Sequence, residues 1–269
     1  DHENEIVTCM GSKEGIAHLC MATLSERDNV LVQSPTYPVH TYGVVIAGAT
    51  VEPVTLIDDL ESFLDQIKEK ISRKKDKPKM LIINFPSNPT TITCNKAFFE
   101  ELVNICKKND IWIIHDLAYA DIAFDGYKAP SILEIEGAKD IAVEFYTLSK
   151  SYNMPGWRVG FCSGNKHLVA ALTKIKSYLD YGTFTPIQVA AIKALNECDD
   201  EVSKICNLYK ERRDELCKGL NRIGWNIESP NATMFLWAKI PEKFQKIGSL
   251  EFSKLLSNLE NSNEPIFWN

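Results

Sequence analysis

Through its first two-thirds the chain alternates short apolar runs with longer stretches whose apolar positions recur every three or four residues. The runs at 30–33, 50–54, 80–84, 111–115, 142–147 and 159–162 are rich in Val, Ile and Leu and predict strands. Several lack a polar alternate, the mark of strands covered on both faces. The stretches at 13–24, 60–72, 96–109 and 166–178 carry the helical period. Strand and helix in alternation predict an α/β domain, a mostly parallel central sheet covered by helices. Pro186 then opens a long helical pattern over 187–220, punctuated by Gly219 and Gly224. Proline suits a first helical turn, where its missing N–H would have no partner anyway. Residues 233–239 (TMFLWAK) predict a strand of a second, smaller unit, and 249–259 a helix. Residues 261–265 break that pattern, and 266–269 end on apolar side chains. The expected organisation is a large α/β domain over 1–200 and part of a smaller C-terminal α+β domain over 201–269.

At 269 residues the chain has room for one large domain and part of another. A formal net charge of −6, with no basic cluster interleaved with aromatics, argues against nucleic acid as a partner. The short basic run Arg73-Lys74-Lys75 reads as a solvated helix end. No apolar stretch approaches the roughly 20 residues a membrane helix needs. Eight cysteines include no C-x-x-C pair, and several fall at apolar positions of helical patterns. Reduced thiols in the cytoplasm are expected. Five histidines include no ligand-spaced pair, so no metal site is expected. The chain opens at Asp1 with neither an initiator methionine nor a signal-like segment, which reads as a fragment or a processed chain.

Candidate chemistry concentrates where the predicted strands end. Lys150 follows the run 142–147 with Thr147 and Ser149 before it, and Arg158 heads the next run. A lysine on the lip of a sheet, among hydroxyls and a guanidinium, can hold an anion and bond to a carbonyl. Burial or crowding by other cations makes its amine nucleophilic. Without those neighbours, a lysine after a strand is a solvated surface residue. The segment Gly11-Ser12-Lys13-Glu14-Gly15 opens a helical stretch, whose free N–H groups and positive dipole end suit a phosphate. The Ser12 hydroxyl is either a further donor or a simple helix cap. No Walker-type or G-x-G-x-x-G loop occurs. Asp116 ends another apolar run, where α/β sheets place ligands; a helix-capping aspartate is the alternative. Tyr119 is a donor into the same site or core packing, and Tyr37 is a ring platform or a turn residue. Ser149 is a ligand or, equally, an ordinary turn residue.

Six segments occur in one order: MGSKEG (10–15), SPTYPVHTYG (34–43), FPSNPT (85–90), HDLAYADI (115–122), TLSKSYNMPGWRVGF (147–161) and YGTFTPIQVAA (181–191). Together they resemble the class I, fold-type I aminotransferases dependent on pyridoxal 5′-phosphate (PLP), and are most similar to the bacterial-type glutamate–pyruvate (alanine) aminotransferases. The resemblance runs from about residue 6 to about residue 251. It implies PLP as cofactor, bonded covalently to Lys150, with Asp116 keeping the pyridine nitrogen protonated. It further implies Tyr119 and Asn88 as donors to the phenolic oxygen and Tyr37 stacked on the ring. Ser12, the backbone amide of Lys13, Thr147, Ser149 and Arg158 become phosphate ligands. Lys150, once released, becomes base at the substrate Cα and acid at the cofactor C4′. The implied reaction is ping-pong transfer of an amino group between a small amino acid and a 2-oxo acid, with alanine and 2-oxoglutarate giving pyruvate and glutamate. The implied assembly is a homodimer with each site built from two subunits.

Departures from the pattern keep other readings open. The usual N-P-T-G stands here as Asn88-Pro89-Thr90-Thr91. A family segment that closes over the site and lends a tyrosine to the neighbouring subunit has no counterpart in the sequence. No arginine follows Arg222 to clamp a substrate carboxylate. Lost or omitted segments around an intact centre are the expectation. Aspartate, aromatic or diaminopimelate donors, a C–S lyase sharing the same centre, and a truncated relative are the alternatives. A non-enzymatic sensor domain on the same fold is another, although it would bring a basic helix-turn-helix that this chain does not show.

Overall fold

A computed structural model of the chain describes residues 1–57, 59–73 and 77–257. Its strands are β1 (Ile6–Cys9), β2 (Asn29–Ser34), β3 (Thr50–Thr55), β4 (Met80–Asn84), β5 (Trp112–Asp116), β6 (Ala142–Thr147) and β7 (Gly160–Gly164). They form one seven-stranded sheet in the order β1-β7-β6-β5-β4-β2-β3. β3, β2, β4, β5 and β6 are parallel, while β7 is antiparallel to both β6 and β1. The expected mostly parallel sheet covered by helices is what the chain forms.

Alternate residues of each strand point to opposite faces, and each face has its own core. Leu31, Leu81, Ile83 and Ile113 pack with Phe63 and Ile67 of α3 (Leu60–Ser72) and with Phe99 and Leu102 of α4 (Lys96–Lys108). Val30, Val32, Met80, Ile82, Ile114 and Val143 face the other way. They meet Ile16 and Leu19 of α1 (Ser12–Thr23), Val44 of α2 (Pro38–Ile46) and Leu172 of α6 (Lys166–Leu179). Phe63, Phe85, Phe99 and Phe145 are fully buried, each contributing about 1.5–3 kcal/mol relative to exposure. Helix starts are fixed locally. Asp59 accepts the Ser62 N–H at 2.7 Å and Asn95 the Phe98 N–H at 2.9 Å, caps that contribute about 1 kcal/mol each.

Several sequence expectations differ from the structure. The single helical pattern over 187–220 is two helices, α7 (Thr185–Glu197) and α8 (Asp199–Arg222), separated by a non-helical Cys198. Asp199, Asp200 and Glu201 favour a fresh start there, because their charge sits at the positive end of the new helix dipole. Residues 233–239 form no strand: an isolated bridge pairs Ala123 with Ala232 just before the segment, the Thr233 N–H bonds the Ile122 carbonyl at 2.8 Å, and no neighbouring strand lies beside it among the described residues. β1 and α2 had not been expected. β1 is a four-residue edge strand, and α2 carries the β-branched run Val44-Val45-Ile46, which locally favours a strand. α9 (Gly248–Ser257) occupies the last expected helix, and residues 258–259 lie outside the described residues, as do Lys74, Lys75 and the tail 261–269. Among the described residues no helix is long and apolar enough to cross a membrane.

Topology gathers the site. β2, β4, β5 and β6 end at the same edge of the sheet with Ser34, Asn84, Asp116 and Thr147. The register places Asn84 beside Asp116 and Asp116 beside Phe145. Each strand end leads into one segment named from the sequence, toward Tyr37, Asn88, Tyr119 and Lys150.

Candidate active site

These strand ends line a cavity of about 720 Å³. Ser12, Lys13, Tyr37, Asn88, Asp116, Tyr119, Thr147, Ser149, Lys150 and Arg158 all line it, so the ten residues named from the sequence share one space. Asn84, Ala118, Pro155 and Phe235 complete the wall.

Lys150 sits in the short helix α5 (Leu148–Ser151) immediately after β6. Its Nζ has no hydrogen-bond or ion-pair partner among the described residues. The hydroxyl of Thr147 caps that helix, accepting the Ser149 N–H at 3.3 Å, and its Oγ1 lies 2.9 Å from Ser149 Oγ. Thr147 thus has a structural role as well as a place on the cavity wall.

Asp116 is 4% exposed and caps no helix. Its Oδ2 lies 2.9 Å from His40 Nε2, and His40 Nδ1 lies 2.6 Å from Thr36 Oγ1. Its other oxygen, Oδ1, is buried without a partner among the described residues. A carboxylate oxygen in that position costs free energy unless something arrives to pair with it. The Asp116 carbonyl accepts Asn84 Nδ2 at 2.7 Å, and Asn84 Oδ1 accepts the Asn88 N–H at 2.7 Å. Asn84 therefore ties the ends of β4 and β5 to the loop that carries Asn88. Asn88 Nδ2 donates to Tyr119 Oη at 3.3 Å. Burial, and then the nearby Asp116 charge, push the Tyr119 phenol well above its ordinary pKa, so it stays a neutral donor. Phe235 packs edge-on against the Tyr119 ring, with centroids 5.6 Å apart.

Another part of the cavity wall is cationic. Gly11, not Ser12, occupies the cap position of α1, and no side chain caps that helix. The Ser12 hydroxyl has no partner among the described residues, so capping does not account for it. Lys13 Nζ lies 5.7 Å from the centre of the Tyr37 ring, a cation–π distance. Arg158 is left-handed at φ 51° and donates to the carbonyls of Pro155 at 3.0 Å and Met10 at 3.2 Å. Gly11 has φ 76°, a conformation that favours glycine, and a Cβ there would stand 2.6 Å from Arg158 Nη2 and displace the guanidinium. Among the described residues no carboxylate pairs with Lys13, Lys150 or Arg158. Three cations and an uncapped helix N-terminus around one cavity form a site for a polyanion.

PLP fits these groups. The lone Asp116 oxygen meets the need of a protonated ring nitrogen, the free amine of Lys150 that of an aldehyde, and the cationic end that of a phosphate. Sequence reading missed His40, Asn84 and Phe235. His40 lies within the segment 34–43, but its bond to Asp116 spans 76 positions and leaves no local signal. Asn84 closes the run 80–84, and Phe235 sits in the segment read as a strand.

The sequence pattern of the family described as aminotransferase class I and II matches residues 1–261. Over 258 residues the chain is 55% identical to the glutamate–pyruvate aminotransferase AlaC of Escherichia coli, covering 96% of this chain and 62% of that protein. It is 43% identical over 256 residues to the LL-diaminopimelate aminotransferase 2 of Trichormus variabilis, covering 94% of this chain and 64% of that one. Among solved structures, an aminotransferase from Staphylococcus aureus superposes with a TM-score of 0.85 at 33% identity, covering 95% of this chain and 66% of the other. The chain thus spans just under two thirds of the length of these relatives. It belongs to the class I and II aminotransferases, whose members use pyridoxal phosphate.

Proposed function

We propose that this chain carries the catalytic centre of an aminotransferase that exchanges the α-amino group of a small amino acid for the oxo oxygen of a 2-oxo acid. The observation that carries the reading is the pairing, across one cavity, of a partnerless buried oxygen on Asp116 with a partnerless amine on Lys150. Residues 1–200 hold the cofactor in this reading, and 201–269 belong to a smaller second unit that contributes Phe235.

When bound, the cofactor supplies a pyridine ring that withdraws electrons from the amino acid Cα. The chain's own residues do the rest. Asp116 Oδ1 would hold the proton on the ring nitrogen, with the His40 contact at Oδ2 fixing the carboxylate plane. Tyr119 and Asn88 would donate to the phenolic oxygen, and Tyr37 would stack on the ring. Ser12, the Lys13 N–H, Thr147, Ser149 and Arg158 would hold the phosphate. Lys150 Nζ would be the group that bonds the cofactor's aldehyde and, when free, the base for the substrate Cα proton and the acid at C4′.

Alanine and glutamate are the proposed donors, supported by the 55% identity to a glutamate–pyruvate aminotransferase. LL-diaminopimelate is the second reading, favoured by relatives near 43% identity. Eight free cysteines support a reducing cytoplasmic setting, and an exposed apolar helix layer supports a homodimer. The test is pyruvate formation by the PLP-loaded protein from alanine and 2-oxoglutarate, run beside LL-diaminopimelate as donor. Pyruvate formation at the higher kcat/KM is expected. Preference for LL-diaminopimelate would replace the substrate assignment, and cystathionine cleavage without amino transfer would replace the reaction.

A further inference from the structure

At the start of α1 lies a partly buried ion cluster whose members are not among the residues lining the cavity. Glu14, in the first turn of α1, accepts the Met10 N–H at 2.8 Å and the Lys176 ammonium at 3.0 Å through the same oxygen, Oε2. Lys176, in the last turn of α6, is 3% exposed and also donates to Asp180 Oδ2 at 3.0 Å. His18 Nδ1 lies 2.5 Å from Glu14 Oε1 and 3.6 Å from Asp180 Oδ2. Glu14, His18 and Asp180 bring ligand-type atoms within 4.8 Å of one another, and the Lys176 ammonium already bridges the two carboxylates. Burial pulls the Lys176 pKa down, but its bonds to Glu14 and Asp180 together outweigh this and hold it above the ordinary value. The ammonium is therefore charged at neutral pH.

Two consequences reach the cavity. Met10 is held at both ends, its N–H by Glu14 and its carbonyl by Arg158 Nη2. It is followed by Gly11 and Ser12, where α1 begins. The carboxylate of Glu14 thus sets the position of the backbone that carries the first α1 N–H groups and of the guanidinium across from them. The second consequence is electrostatic. An uncompensated carboxylate in the first turn of α1 would repel a phosphate dianion bound at that helix end, and the Lys176 charge, shared with Asp180, offsets part of it.

We propose that Glu14 and Lys176 are positioning residues for the phosphate end of the site, acting through Met10 and through partial charge cancellation without touching the ligand. The proposal rests on the PLP reading above. It predicts a defect confined to ligands that carry the phosphate.

The experiment compares binding of PLP and of pyridoxal, its phosphate-free counterpart, followed by the absorbance change on reaction with Lys150. Lys176→Met should raise the Kd for PLP by about tenfold or more, while the Kd for pyridoxal moves by less than about twofold. Lys176→Arg, which keeps the charge, should recover most of the PLP affinity. Should Lys176→Met fail to fold by circular dichroism, Lys176→Gln, which also removes the charge, is measured the same way and should give the same selective loss. Parallel losses for PLP and pyridoxal, or no loss for PLP, would overturn the proposal. Wild-type protein that reacts with neither aldehyde would instead defeat the PLP reading, and this inference with it.

Discussion

Asp116 divides its two oxygens between two tasks. Oδ2 meets His40, whose ring is fully buried and backed by Thr36. In the neutral ring, a proton on Nε2 lets His40 donate to the carboxylate while Nδ1 accepts the Thr36 hydroxyl. The lone Oδ1 is then held in place for a ring nitrogen. Asp116→Asn keeps the shape but cannot balance a protonated pyridine, so kcat should fall on the order of 10²–10³-fold, the range for losing one preorganised charge contact. Steady-state rates under saturating PLP check this, and a loss of under about tenfold would count against the role. Tyr119 gives a pH prediction with a definite sign. Its pKa is raised above the ordinary 10.0 by burial and then by Asp116. The donor form therefore persists through pH 10, and a rate profile should show no alkaline limb from Tyr119 below that point. Tyr119→Phe should lower kcat without moving any limb seen below pH 10. At this scale the sequence was informative because the site residues sit in contiguous segments directly after strands, each with its own local chemistry. His40 and Asn84 act through contacts across 76 and 32 positions, which no local pattern records.

Elements place those residues, and two contacts between elements are sensitive to single changes. Gly160 opens β7, and a Cβ there would stand 2.5 Å from the Tyr146 carbonyl and 3.2 Å from Thr147 Cα. Both are backbone atoms that cannot swing aside. Gly160→Ala should cost about 1–3 kcal/mol, the usual range for overpacking, and would push β7 away from the strand that delivers Lys150. Calorimetry should show a lowered Tm. The Lys176 clip between α1 and α6 adds a pH signature. For Asp180, burial raises the carboxyl pKa, but the bonds from Lys176 and the Gly182 N–H outweigh it and leave it below the ordinary 3.8. A depressed carboxyl pKa stabilises the fold above about 3.8 and loses that contribution as pH falls through the folded value. The raised Lys176 pKa stabilises below 10.5 and loses its share as pH rises past the folded value. Lys176→Met should therefore lower Tm most across the neutral range, by the equivalent of about 3 kcal/mol or more for a broken buried pair. The gap to wild type should narrow as pH falls below 3.8 through the depressed Asp180 value, where that carboxylate protonates. Strands and helices with a strong period were legible because the period is itself a record of burial. α2 was not, since its β-branched end is overridden by packing against α1, and the segment at 233–239 needs a neighbouring strand that a local pattern cannot supply.

At the scale of the molecule, the parallel order of β3, β2, β4 and β5 follows from α2, α3 and α4, which cross between strands, and alternation along the chain announces it; the crossover from β5 to β6 carries only short 3-10 turns. β7 returns antiparallel beside the preceding strand β6, but the pairing of β1 beyond it depends on contacts across more than 150 positions, where periodicity is silent. The same layer of helices raises the question of assembly. α1 packs between α2 and α6, and this layer exposes Met21, Tyr42, Val45, Ile46, Tyr178 and Leu179. Tyr181 and Phe184, just beyond α6, are 93% and 70% exposed. Soluble monomers rarely leave so much apolar surface on one side, which is the ground for the proposed homodimer. α1 starts at Ser12 and α2 directly after Tyr37, both on the cavity wall, and both helices carry exposed apolar residues. Covering those residues would brace the phosphate end of the site, and by linkage the ligand should strengthen the association that braces it. Sedimentation equilibrium should give twice the monomer mass at micromolar protein, with a lower dimer dissociation constant when PLP is present. Ile46→Glu combined with Leu179→Glu should yield a monomer of unchanged helix content and weaker PLP affinity. A wild-type monomer, or a dimer whose strength is indifferent to PLP, would separate the apolar face from the site.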